Sequence, residues 1–152
     1  MIDSLRIVLA VHVDIDATED ERRAALIKAR KGAYEVQGFF RRAVTHDTQV
    51  LGIIAPASTE PATPYRYGDW NLPEMKAAYA ALPESEKFSE PVTHWHAWGG
   101  YEPGTCGRAP KPGTVGMTYK HCLVETICHE IGHNLGLGHD NKRRLTADGY
   151  DT

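Results

Sequence analysis

His129 to Asp140 reads HEIGHNLGLGHD and carries three histidines and a glutamate at spacings that suit a metal ion and a base. His129 and His133 stand four apart, so a helix would stack their imidazoles on one face. Glu130 lies about 100° round that helix, where its carboxylate can reach a water held by the metal without becoming a ligand. Gly136 follows His133 by three residues and can take the left-handed conformation that ends a helix, with Gly138 loosening the chain further. On a continued helix His139 would rise about 9 Å above His133 and point elsewhere, but after a bend at Gly136 it can supply a third imidazole. Three nitrogen ligands and one open position make a catalytic zinc site, whereas structural zinc is closed by four protein ligands. Zinc lowers the pKa of a bound water from 15.7 to about 7, and a neighbouring carboxylate can take the proton and pass it to a leaving amine. The chemistry implied is amide hydrolysis. A bare HExxH also arises in amphipathic helices whose Glu and His simply face solvent. The glycine stop, the third histidine and the apolar helix behind the pattern make it far more specific.

At this length the stretch resembles the HExxHxxGxxH signature of the metzincin zinc endopeptidases and matches every specified position. Asn134, Leu135 and Asp140 make it most similar to the adamalysin (reprolysin) branch, with the gametolysin branch next. The resemblance implies one catalytic Zn2+ on His129, His133 and His139, with Glu130 as general base and a peptide or protein as substrate. Gly136 would be structural. Asp140 would orient or salt-bridge a neighbour, an ordinary turn aspartate being the other reading. Metzincins also place a methionine-containing turn and the lower wall of the cleft after the third histidine. Here Met1, Met75 and Met117 all precede the motif, and Tyr150 and Asp151 resemble the approach to that turn. Residues 1–152 are therefore expected to form a single catalytic domain holding the upper subdomain and stopping before the turn, with weak zinc affinity and low activity. The alternative, from a different class, is a zinc-binding but inactive module or fragment.

The elements that must position this motif fit one domain of 152 residues with 41% hydrophobic content. A formal charge of -3 and the lack of basic clusters interleaved with aromatics exclude nucleic acid as a partner. Ile7 to Val11 is the longest apolar run near the start, far short of the ~20 residues that cross a bilayer and shorter than a signal-peptide core. No membrane segment or secretion signal is read, although the resemblance implies an extracellular location. Oligomeric state has no signature.

Leu5 to Ile15 is apolar and β-branched enough for a strand with both faces covered. Thr18 and Glu21 form a capping box that opens a long helix, with Leu26, Ala29, Ala33, Val36 and Phe40 on its buried stripe. Gly32 and Gly38 each cost that helix up to ~1 kcal/mol and make its far end the less secure half. Gln49 to Ala55 reads as a second buried strand, followed by a surface connection through Asp69. Asn71 to Leu82 reads as a short helix with Met75, Ala78, Tyr79 and Leu82 on one side. Val92 to Trp98 alternates, with His94, His96 and Trp98 on one face, and is expected to be the edge strand lining the cleft; the plainer reading is an ordinary strand with wet histidines. The Gly- and Pro-rich stretch from Gly99 to Thr114 should be a loop at the rim of the site. Val115 to Tyr119 is a last short strand. Lys120 to Gly136 is the active-site helix, burying Leu123, Val124, Ile127, Cys128, Ile131 and Leu135. Cys122 and Cys128 would lie about 9 Å apart on that helix, too far to bridge, so any disulfide must use Cys106, with Cys122 the better placed partner. Three free thiols remain the other reading. The fold class is α/β (α+β): a mixed, zincin-like sheet with a long N-terminal helix and an active-site helix.

Overall fold

Nine residues, Leu5–Val13, form β1, and all but His12 are buried. Such a continuous run belongs to a parallel strand covered on both faces. β1 indeed has parallel neighbours on both sides, β2 (Thr48–Pro56) and β3 (His94–Trp98). β5 (Val115–Thr118) extends the parallel set beyond β3, and the two-residue β4 (Gly107–Arg108) closes the sheet antiparallel to it, in the order β2-β1-β3-β5-β4. The computed structural model describes residues 2–57, 72–100 and 104–138. The connection expected to run through Asp69 lies outside them.

α1 (Glu19–Ala43) starts as the sequence requires: the Thr18 hydroxyl accepts from the Glu21 N–H at 3.1 Å, and the Glu21 carboxylate accepts from the Thr18 N–H at 2.9 Å. It buries Ala29, Ala33, Val36 and Phe40 against Ile7, Leu9 and Val11. The helix runs unbroken to Ala43. Gly32 is needed for packing: a Cβ there would lie 2.8 Å from the Trp98 ring. At Gly52 on β2 a Cβ would collide with the carbonyl of Ala29. Two glycines thus let α1 settle onto the sheet. α2 (Leu72–Ala80) covers the other face and inserts the fully buried Met75 among Val8, Ala10, Ile53, Ala97 and Met117.

The mixed α/β sheet with a long first helix and a motif-bearing helix α3 is the architecture expected. Three details differ. β3 is an interior strand, paired with β1 and β5, so it cannot be the edge that lines a cleft. Its histidines are not wet either, because His94 and His96 are buried on the face that α1 and α3 cover. Second, α3 spans only Val124–Asn134; Lys120 to Cys122 form a turn closed by the Cys122 N–H on the Tyr119 carbonyl, and Leu123 is 66% exposed rather than buried. Third, the Gly99 to Thr114 stretch contains β4 and is not all loop.

Candidate metal centre

α3 is fixed at both ends by groups outside it. At its start, Cys106 and Cys122 are joined in a disulfide that ties the approach to β4 to the turn before α3. The Trp98 indole donates to the Cys122 carbonyl at 3.2 Å. At its end, the buried Asn134 side-chain amide donates to the carbonyls of Pro110 (3.0 Å) and Val115 (3.1 Å), while the main-chain carbonyl of Asn134 accepts from the Gly113 N–H at 3.1 Å. Between these points Ile127 and Ile131 are fully buried in the core, which leaves His129 and His133 half-exposed on another face.

Gly136 has φ +91°, a conformation that only glycine adopts readily. Around it the Gly136 N–H bonds the His133 carbonyl at 2.9 Å, and the Leu137 N–H bonds the Gly132 carbonyl at 3.0 Å, which is a Schellman stop. That turn brings the Leu137 carbonyl to 2.9 Å from His133 Nδ1. A carbonyl can only accept, so Nδ1 carries the proton and a neutral His133 presents the lone pair of Nε2. This Nε2 lies 3.1 Å from His129 Nε2, the rings being 83° apart in plane. Two nitrogens at that separation can each sit at the usual distance of about 2.0–2.1 Å from a shared zinc ion. The pair therefore fits a metal. His139 and Asp140 lie outside the described residues.

Glu130 is 4% exposed. Gly107 on β4 lies directly against it, since a Cβ at that position would fall 2.8 Å from Glu130 Cγ. Burial pushes the Glu130 carboxyl up to about 7, with the charge of Arg108 pulling the other way. A group poised there can take and return a proton near neutral pH.

Two cavities meet at His129. One, of about 590 Å³, is mainly apolar and runs between α3 and the Phe39–Val44 end of α1; the other, of about 710 Å³, is bounded by Thr105 to Gly107, Thr126 and Glu130. The Gly- and Pro-rich stretch thus rims the site, as its composition suggested. A further group, Cys106, His121 and Cys122, brings three potential donors within 4.8 Å of one another, but two of them are consumed in the disulfide. His96 is fully buried and bonds the Thr118 hydroxyl through Nε2 at 2.8 Å.

Residues 72–150, just over half of the chain, match the Peptidase M66 family model. The chain belongs to that family. Among solved structures, this M66 chain resembles one described as a chaperone-substrate complex, with a TM-score of 0.53 and 18% identity over 93% of this chain. The match spans 25% of that longer chain. It also matches archaemetzincin from Methanopyrus kandleri, with a TM-score of 0.48 and 15% identity over 91% of this chain and 78% of the other. The M66 match covers the whole of the His129 to Asp140 motif.

Several contributors to the candidate site carry no signal in the sequence. In the sequence Asn134 stands only as part of the resemblance, and its role as the anchor of α3 depends on two carbonyls 19 and 24 residues away. Gly107 sat unmarked in a glycine-rich stretch. The Leu137 carbonyl has no side-chain signal at all.

Proposed function

We propose that this M66 domain is a zinc-dependent endopeptidase in which His129, His133 and His139 hold the metal and Glu130 is the general base. The observation that carries the reading is the converging Nε2 pair, with His133 already committed through Nδ1 to the Leu137 carbonyl, beside a buried carboxylate. A zinc ion held there would polarise the scissile carbonyl and make a water nucleophilic near neutral pH. Glu130 would accept the proton of the attacking water and deliver it to the leaving amine. Since β4 is the edge of the sheet among the described residues and lies against Glu130, the cleft-lining role expected of Val92 to Trp98 passes to Gly107 and Arg108, whose main chain would hydrogen-bond an extended peptide. The 590 Å³ apolar cavity beside His129 and His133 would receive an apolar side chain of that peptide. The adamalysin-like HExxHxxGxxHD pattern supports the ligand set, and an extracellular location fits the disulfide.

The test combines metal analysis with peptide cleavage. One zinc per chain is expected, lost in His133→Ala and weakened in His139→Ala. Glu130→Gln should keep the zinc and lose about 10² to 10⁴-fold in kcat. Full activity in Glu130→Gln would hand the base role to another group. Zinc bound without any cleavage would leave the alternative, a metal-binding module that is not an enzyme.

A further inference from the structure

A third donor stands beside the Cys106–Cys122 bridge that ties the start of α3. His121 precedes Cys122 in the chain, and one of its ring nitrogens and the two sulfurs all lie within 4.8 Å of one another. The His121 ring is set by stacking on Tyr119, with centroids 6.4 Å apart and planes inclined by 14°. Around a tetrahedral zinc, with Zn–S about 2.3 Å and Zn–N about 2.0–2.1 Å, such donors stand roughly 3.5–3.8 Å apart. The three side chains are therefore gathered to nearly the spacing that one ion requires.

The bridge is not the only thing that gathers them. β4 pairs with β5 directly after Cys106, with Gly107 standing opposite Thr118. The Tyr119 N–H donates to the Cys106 carbonyl at 2.8 Å, and the Cys122 N–H donates to the Tyr119 carbonyl at 3.0 Å. The Trp98 indole donates to the Cys122 carbonyl as well. These bonds fix the main chain of both cysteines, whose Cα atoms are 5.6 Å apart, whether or not the sulfurs are joined. Opening the bridge thus leaves two thiols and an imidazole in one place. Cys106 and His121 are exposed, so a reductant and an ion both reach the group from solvent.

We propose that Cys106, His121 and Cys122 form a second metal site, a Cys2His zinc site that takes the place of the disulfide when the thiols are reduced. It shares no ligand with the His129–His133 pair. A dithiol supplies two electrons and two protons, the S–S bond opens to two thiols, and the dithiol closes to its own disulfide. Zinc then displaces both thiol protons to solvent and binds the two thiolates and the lone pair of a His121 nitrogen, with water in the fourth position. Thiolates favour such a cation over magnesium or calcium, which take oxygen ligands. The start of α3 is then cross-linked in either redox state, by a sulfur–sulfur bond or by an ion.

Cobalt(II) titration of the whole chain tests this, because thiolate ligands give cobalt a near-ultraviolet charge-transfer band that nitrogen and oxygen ligands do not. The protein is reduced with a dithiol, freed of it without air, and compared with the oxidised form. Reduced protein should bind one cobalt ion per chain more than oxidised protein, with the band, and excess zinc should remove that band. Cys128→Ser should leave the extra ion in place, and Cys122→Ser should abolish it. His121→Ala keeps both cysteines and their bridge, and should weaken the extra ion by more than about tenfold. No band in the reduced protein, an extra ion that survives Cys122→Ser, an affinity untouched by His121→Ala, or a loss of helical circular dichroism on reduction would overturn the proposal.

Discussion

α1 and α3 lie on the same sheet face, but α1 begins with a reciprocal cap between Thr18 and Glu21 and runs 25 residues, whereas α3 begins at Leu123 with no side-chain cap and runs 11. The first helix carries its own start signal. The second is held by a disulfide beside its start, by Asn134 reaching across to Pro110 and Val115, and by a glycine stop. The floor differs too. Along β1 it is hydrocarbon, with Ile7, Leu9 and Val11, while along β3 and β5 it includes His94, His96 and Thr118. A helix that only covers a core can be specified locally; one that must aim imidazoles at a point is fixed by its surroundings. That contrast can be broken in three ways.

The largest effect should come from acid. Burial, and then the charge of His94, holds His96 down at about 3, and burial holds His12 at about 4, both from an ordinary value of 6.5. The unfolded chain therefore binds protons that the folded chain refuses, so the stability these groups support is complete above pH 6.5 and is lost as pH falls toward 4 and 3. Each such histidine should contribute a slope of roughly 1.4 kcal/mol per pH unit in that window. Urea unfolding from pH 7 to pH 4 measures it, and His96→Gln should flatten the curve. Amide exchange should quicken in α3 before α1; simultaneous loosening would mean that the polar floor does not set the difference.

Next in size is Asn134→Ala. It leaves two carbonyls without their donor, at a cost of about 1–3 kcal/mol, and should also weaken zinc binding because the helix end carrying His133 is released. Smallest is Thr18→Ala, expected to cost about 0.5–2 kcal/mol with zinc content unchanged. A Thr18→Ala variant that lost metal, or an Asn134→Ala variant that kept both stability and metal, would erase the distinction between the helices.

The same contrast explains what could be read from residues alone. α1, β1 and β2 were legible because a capping box, a helical stripe and unbroken apolar runs are local patterns. His129, Glu130, His133 and the bend at Gly136 were legible because their spacing is itself the chemistry. The interior position of β3 was not, since alternating His and Trp looks half-wetted until helices cover both faces and Thr118 provides a partner for His96. α3 starts four residues later than its sequence suggests because the turn through Cys122 is held by Trp98 and by a bridge to Cys106, both distant in sequence. β4 has two residues, too few for any periodicity to show.

The atom that orients His133 belongs to the main chain at Leu137, a position whose side chain is 57% exposed. Replacing Leu137 by almost any other residue leaves that oxygen in place. The vulnerability moves one position back, to Gly136, where any side chain meets an unfavourable φ. In mutational terms, the aim of the His133 imidazole has been transferred from the residue that contacts it to a single glycine codon. A scan of every substitution at 136 and 137 should therefore find one position intolerant and its neighbour permissive, although only the permissive residue touches the imidazole.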